Sequence, residues 1–149
     1  MKKLLIILLL SILFVPQLYS ATNNFGIVLG NPWVGLRYNI SRVFSAELRS
    51  VVDPDVSINS VRCSCNVFGK ASKLKLFVGA EYGMINFNYE GVTGTGSSIA
   101  PYIGSECVLD KNMRLGLDFG YSTIELKSDA VLVSGPEYIF NLTMSYFIF

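Results

Sequence analysis

From residue 25 onward, apolar side chains alternate with polar or small ones at a period of two. The clearest case is the segment 73–89, whose apolar positions are Leu74, Leu76, Val78, Ala80, Tyr82 and Met84. Successive side chains of a β-strand point to opposite faces, so this period predicts strands with one apolar and one polar face. The pattern recurs at 44–52, 61–67, 99–109, 113–123 and 137–146, and no window there has the 3.6-residue period of a helix. The sequence therefore predicts an all-β fold.

Turn-forming residues divide this region into eight predicted strands, at 25–30, 33–40, 43–52, 57–68, 73–89, 98–109, 113–126 and 136–149. The breaks on one side, at 41–42, 69–72 and 110–112, are short. The other side includes the two longest predicted loops, 91–97 and 127–135. Short turns at one rim and longer loops at the other are typical of outer-membrane barrels. A single bent strand across Pro32 is the alternative for the first hairpin, and it would reduce the count to seven.

The N-terminal segment has the features of an export signal. Lys2 and Lys3 precede an apolar run over 4–15, and the small residue Ser20 follows. A basic start, a short apolar stretch and a small-residue exit predict a signal peptide over 1–20, with 21–149 as a single mature domain. The run is too short for a transmembrane helix, which needs about 20 apolar residues. An uncleaved N-terminal anchor is the alternative.

Alternation alone does not say which face of the strands points outward. A soluble barrel places its apolar set inside, whereas a membrane barrel turns that set toward lipid. The polar face is rich in glycine, which weakens a solvent-facing strand, at Gly35, Gly79, Gly83, Gly104, Gly116 and Gly120. Charged residues make up only 15% of the chain, against about 25% in an ordinary soluble domain. Because small residues with a few charges suit a narrow lumen, we predict an eight-stranded antiparallel up-and-down transmembrane β-barrel.

The chain ends in Tyr146-Phe147-Ile148-Phe149, after a signal peptide and eight short alternating strands. In these features it resembles the small outer-membrane β-barrel proteins of Gram-negative bacteria, the OmpA-barrel and OmpX-like group. The resemblance implies localisation in the outer membrane and contact with its lipid. It also implies that the barrel assembly machinery recognises the terminal Phe149.

Charged side chains of both signs fall on the face predicted to line the lumen. They are Arg37, Glu47, Arg49, Arg62, Lys73, Lys75, Glu81, Glu106, Arg114 and Asp118. These residues suit either a polar path through a gated pore or a network of ion pairs that fills the lumen. An unpaired charge in a confined interior carries a large desolvation penalty, and the two signs nearly balance, so we predict the plugging network.

The chain contains no histidine. This removes the commonest general base and the most frequent metal ligand, and nothing in the spacing of the remaining residues suggests another mechanism. We therefore predict a protein that is not an enzyme and holds no cofactor or metal. The net charge of +1 gives no basic surface for nucleic acid.

Cysteines and glycines offer two weaker signals. Cys63 and Cys65 are two residues apart in one predicted strand, so both point the same way and do not bridge each other in extended geometry. Cys107 lies on an apolar face, and all three are predicted to be small apolar residues toward lipid. The glycines at 91–96 indicate an exposed loop and not a nucleotide cradle, because no helix follows them.

Two functions remain open on these grounds. The first is a non-enzymatic outer-membrane barrel with a structural or surface-interaction role through the loops at 91–97 and 127–135. The alternative is a soluble exported β-barrel that binds a small apolar ligand in its interior. The solubility of the mature chain separates the two.

Overall fold

The computed structural model describes residues 24–69, 73–89, 91–128 and 132–148. Eight antiparallel strands follow one another around a closed barrel, and the last pairs with the first. The strands are β1 (Phe25–Gly30), β2 (Val34–Asn39), β3 (Phe44–Val52), β4 (Val56–Phe68), β5 (Leu74–Tyr89), β6 (Val92–Val108), β7 (Met113–Ser128) and β8 (Leu132–Phe147). The predicted eight-stranded all-β fold is confirmed, and the first hairpin consists of two strands. The predicted signal peptide at 1–20 and the terminal Phe149 lie outside the described residues.

The strands are strongly staggered around the barrel. We start from Val28 on β1 and move from each residue to its direct partner on the next strand. The series ends at Gly135 on β8, after Gly35, Arg49, Ser60, Gly83, Ser98 and Ile124. Gly135 comes ten residues before Ser145, which is the β8 partner of Val28 across the closure. Closing a barrel with such a stagger requires strands tilted by about 35–45° to its axis. Eight strands at that tilt enclose a space that side chains can fill.

The two longest predicted loops are largely strand, which corrects the sequence-based boundaries. β6 begins at Val92 instead of 98, and β8 begins at Leu132 instead of 136. The segment 93–98, Thr-Gly-Thr-Gly-Ser-Ser, has no apolar face from which a strand could be predicted, and its glycines are typical of a loop. In the structure these glycines accommodate close neighbours, since a Cβ at Gly94 would collide with the Phe87 ring on β5. Strand pairing continues up to Tyr89↔Val92, so β5 and β6 form one long hairpin.

The rim opposite the chain's N-terminal end is oblique. β1 and β2 have six residues each, whereas β5 to β8 have 16 or 17. The pairing of β1 with β8 ends at Gly30↔Thr143, but β8 continues for 11 residues, from Leu142 up to Leu132. On the other side, β2 pairs with β3 only as far as Ser50. The wall therefore has a gap above the β1–β2 turn, between the upper parts of β3 and β8, which we call the slot.

Apolar side chains cover the outside of the barrel, as the predicted assignment of faces requires. Leu117, Phe119 and Phe140 are 43–69% exposed, whereas the inward Arg62 and Asp118 are 3–4% exposed. Near the upper rim the outward side chains change character and become polar, at Asn86, Thr93, Thr95, Ser97, Thr123, Glu125 and Lys127. Within the described residues there is no helix long and apolar enough to cross a membrane.

Candidate functional site

A continuous chain of charged side chains fills the lower half of the lumen. Arg37 bridges two carboxylates, with 2.7 Å from its Nε to Glu47 Oε2 and 2.5 Å from its Nη1 to Glu106 Oε2. Glu106 also accepts a hydrogen bond from Arg114 Nη1 at 3.1 Å. Glu47 in turn accepts one from Arg49 Nε. This part of the network joins β2, β3, β6 and β7.

The second part of the network centres on Asp118. Arg62 donates to Asp118 Oδ2 at 3.1 Å, and its other terminal nitrogen lies 3.0 Å from Oδ1. Arg62 Nε also lies 3.2 Å from Glu81 Oε2. Arg49 connects the two parts, since its terminal nitrogens are 3.8 Å from Glu81 and 3.9 Å from Asp118. Each carboxylate thus faces at least one guanidinium, which offsets the cost of burying these charges.

Aromatic rings complete the layer around three of the arginines. The guanidinium carbon of Arg49 lies 3.4 Å from the ring centroid of Trp33, and that of Arg62 lies 3.7 Å from the centroid of Tyr102. Arg114 lies over Phe147 at 4.0 Å. Planar guanidinium groups stack favourably on aromatic faces, and the rings also exclude water from the ion pairs.

The structure brings together eight of the ten charged residues predicted to line the lumen, which are Arg37, Glu47, Arg49, Arg62, Glu81, Glu106, Arg114 and Asp118. Lys75, one of the other two, is directly opposite Glu106 on the neighbouring strand and is half-buried. Among the described residues no carboxylate oxygen lies within 4 Å of its ammonium group. Lys73, which the alternation also placed inside, comes before β5 and is exposed at the lower rim, because the strand begins one residue later.

Sequence reasoning missed the uncharged members of this layer. Trp33 Nε1 donates to Asn141 Oδ1 at 3.3 Å, and Asn141 Nδ2 donates to Asp118 Oδ1 at 2.8 Å. Tyr102 donates its hydroxyl to the Cys63 carbonyl at 3.0 Å, and its ring lies where a Cβ of Gly79 would be. Tyr102 and Asn141 have the inward phase of their strands, and Trp33 continues the inward phase of β2 from the position before it, so the alternation itself carried the signal.

Very little free space remains within the charged layer. The cavity between Arg37, Glu47, Arg62, Glu106 and Asp118 has a volume of about 20 Å³. One water molecule needs about 10–15 Å³ by this measure, so the layer has room for one or two. This space is too small for a hydrated ion.

We expect the purified barrel to conduct little current because this layer blocks the lumen. Planar-bilayer recordings should show no large, stable channel steps. The Arg114→Ala and Glu106→Ala variants remove side chains from the layer and should conduct more current. They are the positive controls for detecting an open lumen. Reproducible high-conductance openings of the unaltered chain that disappear on substitution of Arg114 would contradict the plug and indicate a pore.

A second cavity, of about 290 Å³, lies above the charged layer. Its floor contains Trp33, Arg49, Glu81 and Asn141. Its walls are mainly apolar, formed by Val51, Ile58, Ile85, Ala100, Ile124 and Ile139. The lumen is therefore divided into a filled polar half and a roomier half with apolar walls.

The cysteines show no arrangement for chemistry. Cys63 and Cys107 are exposed on the outer face, Cys65 is half-buried, and all three are free thiols. In the described ranges, no group of three or more Cys, Asp or Glu side chains is placed to hold a metal ion.

Neither a known protein family nor a curated protein sequence matches this chain.

Proposed function

We propose that this protein is a non-enzymatic outer-membrane β-barrel with a plugged lumen and a structural or surface-interaction role. The observation that carries the proposal is the inverted placement of side chains, apolar outside and ion-paired inside. Soluble monomers rarely expose continuous apolar patches larger than a few hundred Å². Here the apolar surface runs around every strand of the barrel, and lipid is the solvent in which such a surface is stable.

The height of the apolar surface supports this placement. On β7 five outward apolar side chains, from Met113 to Tyr121, span a stretch of nine residues. A tilted strand crosses the hydrocarbon layer in about 9–11 residues. Thr123 follows directly on the same face, so the apolar surface ends where the span would end.

Aromatic side chains mark both edges of the apolar surface. At the upper edge lie Tyr82, Tyr121 and Tyr138, and the rings of the last two are 5.4 Å apart. At the lower edge, Tyr38 and Tyr146 are 50–51% exposed. Tyrosine favours the boundary between lipid and water because its ring is apolar and its hydroxyl is polar.

The upper parts of β5 to β8 form a projecting sheet above this surface. Their outward side chains are polar on β5, β6 and β7, and the paired strands hold them in a fixed arrangement. A structured wall of this kind offers an outside partner a defined binding surface at lower entropic cost than mobile loops would. We therefore assign the surface-interaction role to the β5–β6 and β7–β8 hairpins.

Cell fractionation tests the proposal directly. The mature chain, beginning at Ala21, should be recovered with the outer membrane and should need detergent for extraction. On a gel, the folded barrel should migrate differently before and after boiling. Recovery in a soluble fraction would contradict the proposal and favour a soluble barrel, and an N-terminus at Met1 would contradict it and favour an uncleaved N-terminal anchor.

A further inference from the structure

We infer that the upper cavity is a binding site for an uncharged amphiphile, an elongated apolar molecule with one hydroxyl or amide group, that reaches the cavity sideways through the slot. The site goes beyond the structural role proposed above. The sideways route rests on the proposed membrane position, whereas the binding site itself does not.

The cavity has the size and the graded polarity of a ligand site. At about 290 Å³ it is near the lower limit for small-molecule pockets. On β3, β5 and β7 the lining residue nearer the charged layer is polar, at Arg49, Glu81 and Ser122, and the one nearer the rim is apolar. Ser60 and Ile58 keep this order on β4, whereas Ser98 on β6 and Glu137 on β8 place a polar group nearer the rim. A ligand with a polar end toward the floor and an apolar body toward the rim matches this gradient.

Two buried polar groups of the lining lack hydrogen-bond partners. Ser122 is fully buried, and its Oγ has no hydrogen-bond partner among the described residues. Arg49 is 6% exposed, and its Nη2 also makes no hydrogen bond to the described part of the chain. Leaving a buried polar group unsatisfied costs about 1–3 kcal/mol, so a ligand that supplies the missing partner is favoured. A ligand hydroxyl can accept a hydrogen bond from Arg49 or exchange one with Ser122.

The charges around the floor favour an uncharged polar group over an anionic one. Arg49 already faces three carboxylates, those of Glu47, Glu81 and Asp118. Among the described residues that line the cavity, the charged groups are the carboxylates of Glu81 and Glu137 and the guanidinium of Arg49. A ligand carboxylate would therefore meet net negative charge at short range, in a site where burial weakens screening.

The slot gives the cavity a sideways opening. Trp33 and Pro32, from the short β1–β2 turn, form its lower edge, and Val51 and Ile139 come from the two strands that flank it. Backbone groups without strand partners are tolerated at membrane depth only where they line a cavity or are buried by protein. The upper part of β8 has backbone groups without partners on β1, and side chains from this part of β8 line the cavity.

Trp33 is the only tryptophan of the chain, and it reports on the floor of the cavity. We would refold the mature chain in phosphatidylcholine vesicles and add a medium-chain alcohol with bromine on the carbon next to the hydroxyl-bearing carbon. Bromine quenches tryptophan fluorescence only at contact. Saturable quenching is expected, above the linear quenching that probe dissolved in lipid produces.

Variants separate the cavity from the lipid phase. Ala100→Phe fills the cavity from its wall and should remove the saturable component, whereas Ala80→Phe, the same change on the outer face, should leave it intact. Ser122→Ala should weaken binding by about three- to tenfold, which corresponds to one hydrogen bond. The gel shift on boiling verifies that each variant is folded.

Two results would overturn the inference. Linear quenching that is equal in the parent chain and Ala100→Phe would show that the cavity takes up no alcohol. Equal or tighter binding of the matching brominated carboxylate would reject an uncharged ligand. Neither quenching measurement depends on where the protein fractionates in the cell. A negative result in the quenching experiment is therefore distinguishable from a negative result in the fractionation experiment that tests the proposed function.

Discussion

Replacing Asp118 with alanine is expected to lower the free energy of unfolding by about 3–5 kcal/mol, the usual cost of removing one partner from a buried ion pair. Asp118 is 4% exposed and accepts hydrogen bonds from Arg62 and Asn141. Its removal leaves the Arg62 guanidinium with Glu81 as its remaining carboxylate and deprives Arg49 of a further one. Urea titration in lipid vesicles, followed by Trp33 fluorescence, measures the loss.

Asp55→Ala is the matched control, because Asp55 is exposed in the turn between β3 and β4. Surface substitutions of this kind usually change stability by less than about 0.5 kcal/mol. Asp118→Asn keeps the shape of the side chain and removes only its charge, so its effect should fall between the two. Equal stability of the Asp118→Ala and Asp55→Ala variants would mean that the luminal network does not contribute to folding.

Replacing Leu117 with arginine should cost about 2–4 kcal/mol of unfolding free energy in the same vesicles. Leu117 points outward and occupies the centre of the stretch from Met113 to Tyr121, whose outward side chains on β7 are all apolar. An arginine there would lie near the middle of the bilayer, where a charged side chain is most costly. The cost of an outward arginine should be smaller at positions nearer the edges of the apolar surface.

Thr95→Arg provides the control for Leu117→Arg. Thr95 also points outward, but from the projecting part of β6, above the apolar surface. We expect little change there, because the side chain would be in water. If Leu117→Arg refolds with the stability of the Thr95→Arg variant, the outer face is not in contact with lipid.

The alternation of side chains predicted the two faces of the wall, and the turn-forming residues predicted the eight strands. It failed for the upper parts of the hairpins, where Thr93, Thr95 and Ser97 alternate with Gly94 and Gly96 and no apolar face exists. Those strands are held by pairing with β5 and β7, which is a property of the assembled barrel and not of the segment. Local propensity therefore underestimates such strands.

For the candidate site, the sequence predicted which charges point inward but not which of them meet. Arg37 reaches Glu106, 69 positions away, because the stagger of the barrel brings β2 and β6 to one level. Only Glu47, its cross-strand partner, was accessible to reasoning about neighbouring strands. The upper cavity was also out of reach, since it depends on the short β1 and β2 leaving room above Trp33.

The closure between β1 and β8 also determines the order in which this chain can fold. Seven of its eight strand pairings join neighbours in sequence and close short loops. The eighth joins Gly26–Gly30 to Thr143–Phe147 through only five residue pairs, across more than a hundred residues of intervening chain. Loop-closure entropy grows with the length of chain enclosed, so most of that cost falls on this single step. The hairpins can therefore form in any order, but the ring closes last, and β1, one of the two shortest strands of the structure, determines when folding is complete.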